Sequence, residues 1–412
     1  MSSHLSFEFA SASHSSSSTP GNALMLTGAT GFVGMAVLAR ILERTNRHVV
    51  VLVRAASQSE ADGRLDVLMS SLFARPEQYR ERVTAARGDL TEPALGLGSM
   101  RQWIAEHVSE IIHCAASVAF NLSLPESRSI NVEGTRRVLD LADDCAALGN
   151  GLRRITYVST AYVAGDRKGY AQETELDVGQ SFRNAYEQSK QEAERLVCGA
   201  RERLPLTVLR PSIVVGERGT GWTSSFNVMY GPLRALAAGA FPVMPGRRDA
   251  VLDIVTVDYV ADAILALAAS PAAEGGTFHI VAGEQSTTLG EVTHLAARRF
   301  DRRAPRMIRP RLYRSVLHPL MVRTADPATR RRMERNEAYF PYFSLDLRFD
   351  DRRAREVLDP LGIRATPIIE CFDTLMDFAE AARWGRQPIA RSHVVRPTRP
   401  AAWTPRAAEV VA

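Results

Sequence analysis

The chain has 412 residues, of which 45% are hydrophobic and 24% charged, a composition that excludes fibrous and wholly disordered proteins. The formal net charge of +5 is concentrated in one segment, because thirteen arginines and only three acids lie from Arg298 to Arg335. The four cysteines form no CxxC pair and the nine histidines no HxxxH or HExxH pattern, so we expect neither a disulfide framework nor a metal site.

Both ends of the chain have the composition of disordered tails. Residues 1–21 are rich in serine, and residues 385–412 are rich in proline, arginine and alanine without periodicity. The N-terminus lacks the features of a signal peptide. No apolar run reaches the ~18 residues of a membrane span. We therefore expect a cytoplasmic protein with no transmembrane segment and no nucleic-acid partner, and leave peripheral membrane contact and oligomeric state open.

Between the tails, short apolar runs alternate with helical patterns. The predicted strands are Ala23–Thr27, His48–Val53, Glu110–Cys114, Arg154–Ser159, Leu206–Leu209 and Thr277–Val281. The predicted helices are Phe32–Arg44, Asn131–Ala147, Ala185–Arg201 and Val257–Ala269. Strands that are apolar throughout are typical of a parallel sheet buried on both faces. We predict an α/β, Rossmann-type doubly wound parallel sheet over 22–283, with part of a smaller substrate lobe inserted and the rest of that lobe at 284–384.

The first predicted strand runs directly into a glycine-rich turn. Residues 27–34 read TGATGFVG, which gives the spacing GxxGxxG between a strand and a helix. Gly28 permits a tight turn, Gly31 lets the backbone approach a pyrophosphate, and Gly34 allows close helix packing. The pyrophosphate would lie at the positive end of the helix dipole. This unit predicts a dinucleotide-binding site.

The end of the second strand predicts the choice of cofactor. Arg54 lies twenty residues after Gly34, where an NAD-selective enzyme carries an acid that binds the ribose 2′-hydroxyl. An arginine there offers a charged fork to a 2′-phosphate, so we expect NADP(H). His113 ends a strand between apolar residues, and we interpret it as structural rather than catalytic. The predicted cofactor contacts are Gly28, Thr30, Gly31, Phe32, Val33, Gly34, Arg54, Asp89, Leu90, Ala115, Ala116, Lys190, Pro211 and Ile213.

Tyr186 and Lys190 have the spacing YxxxK within a helical pattern, so they share one helix face. A free tyrosine, with a pKa near ~10, is a poor proton donor and acceptor at neutral pH. We expect the neighbouring ammonium to lower that pKa. The preceding strand ends in hydroxyls at Ser159 and Thr160 that are suited to binding a substrate carbonyl.

These segments, in this order, resemble the extended short-chain dehydrogenase/reductases over roughly residues 22–300. The resemblance implies that Tyr186 transfers a proton to or from the reacting oxygen and that Lys190 binds the nicotinamide ribose. It implies that Thr160 orients the substrate oxygen, with Ser159 as the alternative. Should Tyr186 fail as the proton donor, Tyr162 is the next candidate.

Four segments are similar to the male-sterility branch, which contains fatty acyl-CoA reductases and thioester reductase domains. They are Leu52–Arg54, His113–Phe120, Asn131–Thr135 and Val158–Val163. The resemblance implies that NADPH reduces an acyl thioester to an aldehyde, or further to an alcohol. The acyl carrier is CoA or an acyl carrier protein, and we expect it to act in trans because no carrier domain is recognised.

Three other functions use the same fold. A ketoreductase or hydroxysteroid-type dehydrogenase would apply the same triad to a ketone or secondary alcohol. A sugar-nucleotide epimerase is disfavoured by Arg54, because such enzymes usually hold NAD. A non-catalytic NADP-sensing regulator usually lacks the tyrosine or the lysine, and this chain has both.

The arginine-rich segment contains an apolar stripe. Leu312, Tyr313, Val316, Leu317, Leu320 and Met321 recur at helical spacing, and Pro319 should kink or end that helix. The flanking arginines are Arg309, Arg311, Arg314, Arg323, Arg330, Arg331 and Arg332. One interpretation is a helix packed on the substrate lobe. The other is a basic surface that attracts an anionic acyl carrier.

Overall fold

A computed structural model describes residues 22–149, 151–226, 228–239, 243–317, 319, 323, 330 and 337–394 of the chain. The predicted N-terminal tail, most of the C-terminal tail, and Leu320, Met321, Arg331 and Arg332 of the arginine-rich segment lie outside these residues. Of the apolar stripe predicted there, Leu312 is 52% exposed and Tyr313 is buried.

The described strands are β1 Ala23–Thr27, β2 Val49–Val53, β3 Val83–Arg87, β4 Val108–His113, β5 Arg154–Val158, β6 Gly169–Ala171, β7 Leu206–Pro211, β8 Ile213–Val215, β9 Val243–Pro245, β10 Val251–Leu252, β11 Ile254–Thr256, β12 Thr277–Ile280, β13 Thr287–Thr288, β14 Arg306–Ile308 and β15 Leu347–Phe349. Seven of them form one parallel sheet in the order β12-β7-β5-β4-β1-β2-β3. The order reverses beside β1, as in a doubly wound fold. The predicted fold class is confirmed.

The described α-helices are α1 Phe32–Arg44, α2 Gln58–Leu72, α3 Glu77–Arg80, α4 Met100–His107, α5 Leu124–Leu148, α6 Ala185–Gly199, α7 Tyr230–Ala237, α8 Val257–Ala269, α9 Leu289–Arg299, α10 Pro310–Leu312, α11 Arg352–Leu358, α12 Ile368–Ala381 and α13 Arg391–Val394. Helix α5 begins seven residues before its predicted start at Asn131, because Ser123 and Glu126 form a capping box and Pro125 fits the first turn.

A second hydrophobic core forms the substrate lobe. It joins α7, α9 and α12 to short strand pairs, β9 with β14 and β10 with β13. Two parts of the sequence form this lobe. Residues 213–254, which precede β12, and residues 281–379, which follow it, both contribute buried side chains to this core. Tyr162 and Ala164 also belong to it, so the end of β5 leads into the lobe.

Residues 385–394 were predicted to belong to the disordered C-terminal tail, but they have a defined structure that ends in helix α13. The Arg391 side chain is buried and donates to Glu43, at the end of α1, at 2.7 Å and to Glu217, after β8, at 3.0 Å. Arg40 of α1 lies 3.8 Å from the same Glu217 carboxylate. The composition of residues 385–394 did not predict this structure, because the Arg391 ion pairs, rather than a periodic apolar pattern, hold the segment in place.

Candidate active site

The glycine turn between β1 and α1 fits a dinucleotide pyrophosphate. Gly28 has a φ of +77°, and a Cβ there would lie 2.7 Å from the Ala115 nitrogen. A Cβ at Gly34 would overlap the Gly28 carbonyl. Gly31, at the N-cap of α1, brings no capping side chain, and the first turn of α1 contains no acid. The N–H groups of that turn are therefore suited to an anion.

Basic side chains gather where β2 and β3 end. Arg54 is exposed, and its carbonyl accepts a hydrogen bond from the Arg64 guanidinium at 2.5 Å. Arg87, at the end of β3, donates to the Ala55 carbonyl and pairs with Glu92. The prediction named Arg54 but missed Arg64 and Arg87. No local pattern in the sequence indicates these two arginines, because their positions depend on how α2 and β3 pack beside β2.

Asp89 and Leu90 lie in the loop after β3. The Asp89 carboxylate accepts hydrogen bonds from the backbone and hydroxyl of Thr91, both at 2.8 Å. Leu90 is buried against Gly134 of α5, where a Cβ would lie 2.9 Å from the Leu90 Cβ. Asp89 thus shapes the loop, and Leu90 joins this loop to α5.

The segment that follows β4 packs against the glycine turn and is held in place by side chains of α5 and α6. Asn131 of α5 binds both backbone groups of Ser117 and donates to the Ser189 hydroxyl at 2.9 Å, which links the segment to α6. His113 is buried, and its two ring nitrogens bond to Thr27 and Thr135. Burial and the Lys190 charge lower the pKa of His113 to about 3. A neutral, fully paired imidazole agrees with the structural interpretation.

Tyr186 lies in the first turn of α6, beside Thr160 at the end of β5. Burial raises the pKa of Tyr186 to about 12, and a hydrogen bond with the Thr160 side chain offsets part of that increase. The Thr160 hydroxyl also lies 3.4 Å from the Pro211 carbonyl, which it can donate to. The structure therefore brings Thr160, Tyr186 and Pro211 together.

Lys190 is buried one helical turn after Tyr186. Its ammonium donates to the Tyr157 hydroxyl at 2.8 Å and to the Val158 carbonyl at 2.9 Å. Burial lowers the pKa of Lys190 to about 8, with the Glu194 carboxylate acting in the opposite direction. We expected Lys190 to lower the pKa of Tyr186, but the pKa is raised. Burial of the phenol has the largest effect, and the Lys190 ammonium donates to Tyr157 instead.

A buried ionic group lies behind Lys190. Glu194 is fully buried and forms a two-pronged pair with Arg210, at 2.6 Å and 2.9 Å. The Ser159 hydroxyl donates to the same carboxylate at 2.5 Å. This bond occupies Ser159, so the geometry favours Thr160 over Ser159 for contact with substrate. The spacing of Tyr186, Lys190 and Glu194 at four-residue steps was the signal for this pair, and sequence reasoning missed it.

Phe120, in the segment after β4, links Tyr186 to two tyrosines of residues 337–344. The Phe120 ring lies 5.7 Å from the Tyr186 ring and stacks on Tyr342 at 5.5 Å. Tyr339 lies 5.6 Å from Phe120. The Tyr342 hydroxyl donates to the buried Glu187 carboxylate at 2.6 Å. Sequence reasoning missed these partners, because residues 337–344 form a 3₁₀ segment with no helical or strand periodicity.

The glycine turn and Lys190 lie at the carboxyl ends of nearby strands. The turn follows β1, whose partner β4 pairs in turn with β5, and Lys190 binds the Val158 carbonyl where β5 ends. Gly28 packs on Ala115, just after β4, and burial raises the pKa of the adjacent Cys114 thiol to about 12. Within the described ranges, no cluster of three or more histidines, cysteines or acids is placed to hold a metal ion. Nor does any helix of that part of the chain have the length and apolar character to cross a membrane.

Comparison with known proteins shows the family of this chain. A family model described as "Male sterility protein" matches residues 26–264. Fatty acyl-CoA reductase wat of Drosophila melanogaster is 30% identical over 60% of this chain and 53% of its own length. Glycine betaine reductase ATRR of Emericella nidulans is 31% identical over 64% of this chain and 21% of its own. The chain thus spans about half, or less, of the length of these curated relatives.

A solved structure covers more of the fold. The terminal R domain from the myxalamid PKS-NRPS biosynthetic pathway is 27% identical and superimposes with a TM-score of 0.76, over 90% of this chain and 94% of that domain. The agreement therefore extends through the substrate lobe as well as the sheet. The chain belongs to the male sterility protein family, a branch of the extended short-chain dehydrogenase/reductases.

Proposed function

We propose that this protein is an NADPH-dependent reductase that converts an acyl thioester to an aldehyde, or further to an alcohol. The observation that carries the proposal is the contact of Thr160 with Tyr186 at the carboxyl ends of the sheet that also holds the glycine turn, in a chain that matches a reductase domain over nearly its whole length. The substrate is an acyl-CoA or an acyl group on a carrier protein. A cytoplasmic location remains a prediction.

The described side chains support a division of roles. Bound NADPH would supply a hydride to the thioester carbonyl carbon. Thr160 orients the carbonyl oxygen, and Tyr186, which is protonated at neutral pH with a pKa of about 12, donates a proton to it. The result is a hemithioacetal. Its hydroxyl loses its proton as the C–S bond breaks, the departing sulfur takes up a proton, and the thiol and the aldehyde leave. Lys190, with a pKa of about 8, is mostly an ammonium at pH 7 and is suited to the nicotinamide ribose.

The remaining cofactor residues are proposed from the geometry of the turn. Gly31 lets the pyrophosphate approach the backbone, and Gly28 and Gly34 let the turn pack closely on Ala115 and on α1. Thr30 is exposed beside them. The exposed Arg54 is suited to a 2′-phosphate, which favours NADP(H) over NAD(H). Further proposed contacts are Phe32, Val33, Asp89, Leu90, Ala115, Ala116, Pro211 and Ile213.

NADPH consumption tests the reaction class. We expect the purified protein to oxidise NADPH with acyl-CoAs and to release free CoA and an aldehyde or alcohol, which mass spectrometry identifies. The control substrates are ketones of matched size. Reduction of the ketones alone would favour the ketoreductase alternative. NADPH binding without turnover on any of these substrates would favour the non-catalytic regulator.

Arg54→Ala tests the choice of cofactor. We expect it to weaken NADPH binding by about 1.5–3 kcal/mol, because a charged hydrogen bond to the 2′-phosphate is lost, while NADH binding hardly changes. Fluorescence titration measures both dissociation constants. Arg203→Ala is the control, since that arginine pairs with Asp143 on the surface. Equal losses for the two cofactors would mean that Arg54 only supports the fold.

A further inference from the structure

A buried chain of hydrogen bonds runs from Lys190 to the end of β1. The Lys190 ammonium donates to the Tyr157 hydroxyl at 2.8 Å, and that hydroxyl is hydrogen-bonded to the Thr135 side chain of α5. The Thr135 hydroxyl lies 3.2 Å from His113 Nε2, and His113 Nδ1 lies 2.6 Å from the Thr27 hydroxyl. All five side chains are at most 2% exposed, so solvent does not supply alternative partners.

The partners of Thr135 determine the direction of these hydrogen bonds. Its hydroxyl donates its one hydrogen to the Asn131 carbonyl at 2.6 Å, so its oxygen accepts from both Tyr157 and His113 Nε2. The neutral His113 therefore carries its hydrogen on Nε2. The hydroxyl hydrogen of Tyr157 is directed to Thr135, which leaves the Tyr157 oxygen as an acceptor for Lys190.

An ammonium has three hydrogens to donate. The described residues bind two of those of Lys190, through the Tyr157 hydroxyl and the Val158 carbonyl, which lies at 2.9 Å. Both acceptors belong to consecutive residues of β5 and so have fixed positions. They determine where the Lys190 nitrogen lies, and the third hydrogen is suited to a ligand.

We propose that Tyr157 is a positioning residue, whose hydroxyl, held as an acceptor by Thr135, keeps the Lys190 ammonium charged and in place for the cofactor ribose. The proposal rests on the function proposed above, which assigns the ribose to Lys190. Tyr157 acts through Lys190 and needs no contact with cofactor or substrate. With the Val158 carbonyl as its one acceptor, the ammonium would be held by a single hydrogen bond.

Titratable and charged side chains of several elements surround Lys190. They are Tyr186 and Glu194 of α6, Tyr157 of β5, His113 of β4, Cys114 after β4 and, through its pair with Glu194, Arg210 of β7. Burial lowers the pKa of Lys190 to about 8, and the Glu194 carboxylate opposes this change. The variants below change Tyr157 and leave the other groups in place, so a change in the charge of Lys190 can be traced to the Tyr157 hydroxyl.

The sequence contains only two lysines, Lys168 and Lys190, so the charge of Lys190 can be observed directly. In protein labelled with carbon-13 at the lysine ε-carbon, the NMR signal of Lys190 should titrate with a midpoint at about pH 8. Tyr157→Phe should lower this midpoint by about one pH unit, because the charged form loses an acceptor. Lys168 is exposed, and its signal is the internal reference that should be the same in every variant.

Three further variants make the titration specific. Thr135→Val leaves the Tyr157 hydrogen without its acceptor and should shift the midpoint in the same direction, which also provides a test if Tyr157→Phe does not fold. Thr135→Ser keeps the hydroxyl and should retain the wild-type midpoint. Tyr230→Phe is the matched control, because it removes a buried hydroxyl that accepts from Gly216 N at 3.0 Å, and it should leave the midpoint unchanged.

The pH dependence of NADPH binding gives the functional readout. In fluorescence titrations, the affinity of the wild-type protein should fall as Lys190 loses its proton, and in Tyr157→Phe this fall should begin about one pH unit lower. Shifted Lys190 midpoints in a protein that reduces no thioester would refute the proposed reaction and leave the role of Tyr157 standing. Thioester reduction, with the same Lys190 midpoint in wild type, Tyr157→Phe and Thr135→Val, would overturn the role of Tyr157 and leave the reaction standing.

Discussion

We expect Tyr186→Phe to lower kcat by about 10²- to 10⁴-fold, because it removes one hydroxyl and the proton that this hydroxyl donates. The ring remains, so its contact with Phe120 and the shape of the site should be kept. The dissociation constant for NADPH should therefore hardly change. Single-turnover kinetics measures the chemical step, and fluorescence titration measures cofactor binding.

Tyr170→Phe is the matched control for this experiment. Tyr170 lies in β6, is 68% exposed, and loses the same single oxygen atom. Near-normal turnover in Tyr186→Phe would contradict the proposed mechanism and direct attention to Tyr162. That tyrosine is buried 5.3 Å from the Tyr342 ring, and burial raises its pKa.

The second large effect concerns stability. Glu194→Ala should lower the free energy of unfolding by about 3–5 kcal/mol, because Arg210 would keep its buried charge and lose its carboxylate partner. Both side chains are at most 3% exposed, so water cannot replace the lost partner without rearrangement. Urea denaturation followed by circular dichroism measures the change.

Two further variants make the stability experiment specific. Asp143→Ala removes one partner of an ion pair whose side chains are 50% and 40% exposed, and it should cost less than about 1 kcal/mol. Glu194→Ala combined with Arg210→Met removes both buried charges and should recover much of the loss. If the double variant is no more stable than Glu194→Ala, the uncompensated charge is not the cause.

Local patterns predicted the parts of the site that depend on neighbours in the sequence. The predicted bounds of β1, α1 and α8 agree with the structure. A local signal determines each element: an apolar run for β1, the glycine turn before α1, and a helical repeat for α8. The placement of Tyr186 on α6 beside the hydroxyl-bearing end of β5 followed from the order of the elements. In these elements, local propensity and tertiary packing favour the same structure.

Contacts between distant segments could not be predicted in the same way. The partner of Lys190 is Tyr157 on β5, which becomes visible only when α6 packs on the sheet. Tyr342 reaches Glu187 across more than 150 residues, and its segment has no periodicity. The pKa of Tyr186 was predicted from charge alone, whereas burial by residues that the pattern does not identify determines its direction.

The position of α1 has a consequence for the kinetics of cofactor binding. Its first turn packs on the glycine loop, and its last turn is tied to Arg391 and Asp262 through Glu43 and Arg40. With both ends fixed, α1 cannot slide along its axis without breaking partly buried ion pairs. A dinucleotide that binds here, as proposed above, would meet a turn that is held in place from both ends of α1. Its association rate should be set by diffusional encounter rather than by a prior conformational change.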